Sequence, residues 1–208
     1  MRRAYKALLR FVFHFGYLFR IVEVKTPEQK KAFHSLWTLI WTDEKYAHAG
    51  EPLPKIEGHY AVFNSYSTDL VLCFGHVPIG TIRLIWENKE VGIPVLNDFE
   101  VERVWNGRVV EATLLTLKKE WRGRFHHLPS LIIWRELYRR AKKEKVDGIV
   151  MAADIRVFRL LQKFFPFQQI GKERFYEGST TVPAYLSLKM ADEVVTKTHP
   201  ILARFFLA

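Results

Sequence analysis

The 208-residue chain has a single cysteine, Cys73. One thiol excludes an internal disulfide framework and a cysteine-based zinc site, and it fits a reducing compartment. Long apolar runs are missing too. The stretch Phe11–Phe19 is interrupted by His14 and is too short to cross a bilayer. No small-residue cleavage site follows it, so it does not read as a signal peptide, and a soluble cytoplasmic protein is expected. There is no G-x-S-x-G elbow, no Walker loop and no paired-carboxylate constellation at a recognisable spacing. No helix-turn-helix or zinc-finger spacing accompanies the basic charge, which argues against nucleic acid as a partner. His34 and His48 have no partner at ligand spacing, and the adjacent His126 and His127 point apart on a helix, so no metal site is expected. Internal repeats and low-complexity linkers are also absent.

What remains is 49% hydrophobic, 14% aromatic and 26% charged. That composition fits one globular domain over residues 1–208 with a sizeable core. The net charge is +10 and unevenly placed: residues 1–31 carry +6, residues 118–145 carry +7, and the rest is net acidic. Such clusters suit an anionic partner: nucleic acid, a lipid surface, a phosphorylated cofactor or an acidic carrier protein. A solvated basic helix face explains them equally well.

Residues 2–15 space Ala4, Leu8, Phe11, Val12 and Phe15 as a basic amphipathic helix, which either lies on a membrane surface or packs on its own domain. Residues 17–24 read as a strand. Thr26, Pro27 and Gln29 form a helix start, with a capping threonine, proline at the first position and a capping-box glutamine. The helix runs to about Trp41. Residues 42–57, with Gly50, Pro52 and Pro54, read as a long loop of the kind that carries function. Strands follow at 59–64, 69–74 and 79–86, the first two joined by a turn at 65–68. A loop is expected at 92–98, a strand at 109–117, and a helix from Pro129 to Lys143. Then come a strand at 148–152, a helix at 154–164, strands at 168–171 and 184–188, and an apolar tail at 201–207 that docks as a helix. The order predicts an α+β domain: one mixed central sheet with helices on both sides.

At Val109–Lys143 the sequence resembles the GNAT acyltransferase superfamily. In that fold a strand ends in a loop of pattern Q/R-x-x-G-x-G/A, whose backbone binds the pyrophosphate of coenzyme A. Here the run is Glu120, Trp121, Arg122, Gly123, Arg124 and Phe125, in which only Gly123 fits. Residues 33–115 are similar to acyl-homoserine lactone synthases and the related N-acyl amino acid synthases. The resemblance rests on Phe33, Trp37 and Trp41, on Asp43, Glu44 and Glu57, on Gly80, Arg83 and Leu84, on Phe99, and on Glu111. Leu114 stands where that family has a second arginine, so lactone formation is not supported. The resemblance implies an N-acyltransferase moving a long-chain acyl group from acyl carrier protein or acyl-CoA to a small amine such as an amino acid. No permanently bound cofactor is implied.

On that reading Glu111 and Arg83 are the catalytic candidates. Trp41, Phe99 and Thr113 are substrate-binding, and Arg122, Gly123 and Arg124 meet the donor. Glu111 follows two valines in an apolar strand, where a carboxylate must find a partner or give up its charge. As a base it takes a proton from the acceptor amine; as a structural residue it pairs with Arg83. Arg83 either holds a carboxylate with its planar fork or makes an ordinary ion pair. Backbone N–H groups freed on the Glu111 strand would polarise the thioester carbonyl. The other reading is a non-catalytic module of this fold that binds a membrane surface, at the inner face, or an anionic partner.

Overall fold

The computed structural model describes residues 16–43, 58, 60–122, 127–176 and 178–207. The amphipathic helix expected over 2–15, most of the expected loop 42–57, Gly123 and Arg124 lie outside them.

A short 3-10 turn (Gly16–Leu18) leads into β1 (Phe19–Glu23), followed by α1 (Pro27–Asp43). The capping box at its start forms as expected. The Gln29 N–H donates to Thr26 Oγ1 at 3.3 Å, and Gln29 Oε1 accepts from the N–H groups of Lys25 and Thr26 at 2.7 and 3.1 Å. The remaining elements are β2 (Ser67–Phe74), β3 (Val77–Trp86), α2 (Pro94–Asp98), β4 (Val109–Leu117), α3 (Leu128–Lys143), β5 (Gly148–Asp154), α4 (Ile155–Leu161), β6 (Gln168–Gln169), β7 (Arg174–Tyr176), β8 (Ser179–Ser187), α5 (Leu188–Thr198) and α6 (Pro200–Leu207).

Two expectations fail. The strand expected at 59–64 is instead helical at Tyr60 and Ala61 and turns into a 3-10 segment at Asn64–Tyr66. Burial explains the error. Tyr60 and Phe63, three apart, are buried while Val62 faces solvent, which is a helical and not an alternating pattern. The hairpin therefore lies later, between β2 and β3, through Gly75 at φ +58° and His76. The loop expected at 92–98 contains the helix α2, started by Pro94 at its first position. The tail does dock as a helix, burying Leu202, Ala203 and Phe206.

The eight strands form one sheet in the order β1-β2-β3-β4-β5-β8-β6, with β7 also on β8. Among the described residues only β4 and β5 pair in parallel, joined by the α3 crossover. Alternation along the strands divides the core in two. Val110, Ala112, Ile149 and Met151 face α3, α4, α5 and α6; Ile85, Val109, Val150 and Tyr185 face α1 and α2. Helices thus cover both faces of a mixed sheet, as the sequence predicted. Cys73 is buried, and burial pushes its thiol up against the nearby Arg20 charge.

Candidate active site

The parallel pairing of β4 with β5 is brief. It covers Val109, Val110 and Glu111 against Gly148, Ile149 and Val150, and ends there. Beyond Glu111, the edge of β4 that faces β5 has no rung on that strand, while β5 continues to pair with β8 as far as Asp154. The sheet is therefore split at its centre, and Glu111 stands on the last rung before the split.

A bulge lies just past this point. Arg83 opposes Thr113, but Thr81 opposes Thr116, so β4 carries one extra residue. The extra residue is at Leu114, whose φ of +48° is in the left-handed region that a non-glycine residue seldom occupies. The bulge reverses the phase of the strand. Leu114 joins the α1 side, while Leu115 and Leu117 pack with Val110 and Ala112 on the other side. Thr81 Oγ1 anchors the kink by donating to the Leu114 carbonyl at 3.0 Å.

Glu111 is almost wholly buried, at 2% exposure, on the α1 side of the sheet. Its Oε2 accepts the Val95 N–H at 2.8 Å. Val95 lies in the first turn of α2, whose N-cap residue, Ile93, has no side-chain oxygen to offer. The carboxylate replaces the missing cap across the fold. The possible pairing of Glu111 with Arg83 is corrected in one respect, because the arginine fork goes elsewhere. Arg83, 1% exposed, donates from Nε and Nη2 to the two carboxylate oxygens of Asp69 at 2.6 and 2.8 Å, and from Nη1 to Asn64 Oδ1 at 3.2 Å. This buried bidentate pair joins β2 to β3 and ties the segment around Asn64 to the sheet.

The three expected substrate contacts gather on the same side. Thr113 Oγ1 donates to the Tyr60 hydroxyl at 3.2 Å. Trp41 packs on Trp37, with ring centroids 5.2 Å apart. Phe99, at the end of α2, lies under the Arg174 guanidinium at 4.2 Å and beside Tyr176 at 5.2 Å. Sequence reasoning missed Asp69, Asn64, Tyr60 and Arg174. The hairpin at Gly75–His76 was the available signal for Asp69, since it sets Asp69 opposite Arg83.

Of the residues expected to meet the donor, Arg122 is the one described. Arg122 Nε donates to the Leu117 carbonyl at 2.8 Å, closing the end of β4. Much of the basic charge on α3 is internally balanced. Arg139 and Arg140 both bind Glu136, Arg140 also reaches Glu23 on β1, and Lys142 pairs with Asp192. Burial alone would push the Glu136 carboxyl up, but the hydrogen bonds and charges of Arg139 and Arg140 outweigh it and hold the group low.

A mixed sheet parted between its two parallel strands, with a bulged strand at the fork, is the GNAT-like fold. Solved structures agree on this fold. The N-acyl amino acid synthase FeeM from uncultured soil microbes superposes with a TM-score of 0.70 at 15% identity, covering 90% of this chain and 97% of that one. The acyl-homoserine lactone synthase LasI gives 0.62 at 14% identity, covering 82% and 90%. An acyl-CoA N-acyltransferase from Pseudomonas aeruginosa gives 0.56 at 13% identity, covering 81% and 99%. No curated protein matches by sequence. The family model of the N-acyl amino acid synthase FeeM matches residues 45–189, and the chain belongs to that family. It is therefore an N-acyltransferase, with an acyl donor and an amine acceptor as its substrates. Among the described residues no helix is long and apolar enough to cross a membrane.

Proposed function

We propose that this enzyme joins a long-chain acyl group, delivered on acyl carrier protein in preference to coenzyme A, to the α-amine of an amino acid. The observation that carries the reading is the position of Glu111: a buried carboxylate on the last β4–β5 rung, where a thioester lying in the split meets an amine. The amine nitrogen attacks the thioester carbonyl and forms the C–N bond. The C–S bond breaks, Glu111 takes the proton the nitrogen gives up, and that proton returns to the departing sulfur as thiol. Backbone N–H groups on the β4 edge beyond the fork polarise the carbonyl as negative charge builds on its oxygen. A carboxylate has about four lone-pair sites, so accepting the Val95 N–H and receiving a proton are compatible roles.

Arg83 is a positioning residue on this reading. Its fork is filled by Asp69 and Asn64, and through Asn64 it holds the segment that presents Tyr60 to Thr113. The aromatic layer of Phe33, Trp37 and Trp41 lines the acyl path. The preference for carrier protein rests on the loop at 120–125, where Phe125 replaces the last small residue that lets backbone approach a pyrophosphate. An acidic carrier would meet Lys118, Lys119 and Arg122 at the open end of β4. The paired arginines of α3 lie about three turns, roughly 15–20 Å, from the start of that helix and are a poorer match.

The test is direct. Purified enzyme is offered acyl carrier protein or coenzyme A loaded with the same long acyl chain, together with a mixture of amino acids, and products are read by mass spectrometry. N-acyl amino acids formed faster from carrier protein are expected. Transfer from coenzyme A alone overturns the donor assignment, and lactone products overturn the acceptor.

A further inference from the structure

With the Arg83 fork occupied, an amino-acid acceptor needs another cation for its carboxylate. We infer that Arg174 is that residue: its guanidinium, laid over Phe99 and Tyr176, binds the acceptor α-carboxylate and makes the enzyme select amino acids over simple amines. The inference rests on the amino-acid reading given above.

Register places Arg174 on the correct face. Glu111 opposes Val150 on β5, Asp154 at the end of β5 opposes Thr181 on β8, and Thr181 opposes Arg174 on β7. Directly opposed residues share a face, and alternate residues along β5 do as well, so Arg174 stands on the Glu111 side of the sheet. It also lies at the end towards which β4 and β5 part.

Proximity follows from α2. Glu111 holds Val95 in the first turn of that helix, and the Phe99 N–H donates to the Val95 carbonyl at 3.1 Å. One helical turn therefore separates the base from Phe99, and the guanidinium lies 4.2 Å beyond, over the ring. These steps together come to roughly 12 Å. An amino acid with its amine on Glu111 through one water and its carboxylate on Arg174 spans that distance.

The guanidinium is held but not consumed. Its centre is 4.2 Å from the Phe99 ring and 5.1 Å from the Tyr176 ring, and Tyr176 is fixed by its hydroxyl donating to Asp98 Oδ2 at 2.8 Å. Among the described residues Arg174 has no hydrogen-bonded or ion-pair partner, and it is exposed. Stacking on two rings orients the planar fork while leaving its N–H edge for a bidentate carboxylate.

The experiment compares the best amino-acid acceptor with its own carboxamide, which keeps the amine and removes the charge. Wild type is expected to favour the acid by about 10–100-fold in kcat/KM, the scale of a charged hydrogen-bonded pair. Arg174→Ala should lose that preference through a raised KM for the acid, with carboxamide kinetics and melting temperature unchanged. Arg174→Lys should restore part of it. An Arg174→Ala enzyme that keeps the wild-type acid-to-amide ratio overturns the inference while amino-acid acylation stands. A wild type that acylates no amino acid at all removes both readings.

Discussion

Replacing Glu111 by glutamine and by alanine separates its chemical role from its structural one, because the two substitutions remove different things. Glutamine keeps an amide oxygen where Oε2 accepts the Val95 N–H, so the cap on α2 survives while the basic lone pair is lost. Alanine removes both. Val95 is 1% exposed, and an orphaned buried N–H costs about 1–3 kcal/mol. In a domain of this size about 1 kcal/mol lowers the melting temperature by roughly 2–4 °C, so Glu111→Ala should melt about 2–12 °C lower. Glu111→Gln should melt close to wild type, with single-turnover transfer down about 10²–10⁴-fold, the usual loss for a general base. Thermal melts and rapid-quench transfer on the same preparations give both numbers. A glutamine enzyme that turns over within a few fold of wild type refutes the assignment of Glu111 as base, whatever its stability.

The Arg83–Asp69 pair should behave as a buried bidentate bridge. Arg83→Met or Asp69→Leu alone should cost about 3–5 kcal/mol by thermal or urea unfolding, and the double replacement should regain most of it; additive losses would show that the pair is not coupled. Thr26→Ala should remove one half of the capping box on α1 and lower stability by about 0.5–2 kcal/mol in urea titration. Burial, then the hydrogen bond to and charge of Asp192, push the Tyr138 phenol far above its ordinary value. The unfolded chain therefore loses this proton first, and stability should fall as pH rises past about 10. Tyr138→Phe should flatten that part of the pH profile; an unchanged slope would remove Tyr138 as its cause. Arg139→Glu should weaken carrier docking less than Lys119→Glu in salt-dependent binding, since Arg139 is already paired on α3.

The sequence by itself determined the elements whose signals are local. The strand at 109–117 falls on its expected residues, because a run of β-branched and apolar residues is bounded on both sides by charge and turn residues. The start of α1 is legible for the same reason: Thr26 and Gln29 satisfy each other's backbone N–H groups across three residues, and Pro27 takes the first helical position. The family resemblance picked out Arg83, Phe99, Glu111 and Trp41, and these do gather on one side of the sheet. Alternation along a strand, readable from spacing, decides the face of Arg83 and Glu111. What only the tertiary structure decided are the partners. Asp69 is 14 residues from Arg83, Val95 is 16 from Glu111, and Tyr60 is 53 from Thr113. Arg174 reaches Phe99 from the far edge of the sheet. Burial makes such pairings compulsory, since a charge or N–H taken out of water must be satisfied. Which group satisfies it depends on register, on one extra residue at Leu114 and on where the sheet divides, and none of these leaves a mark within a short window of sequence.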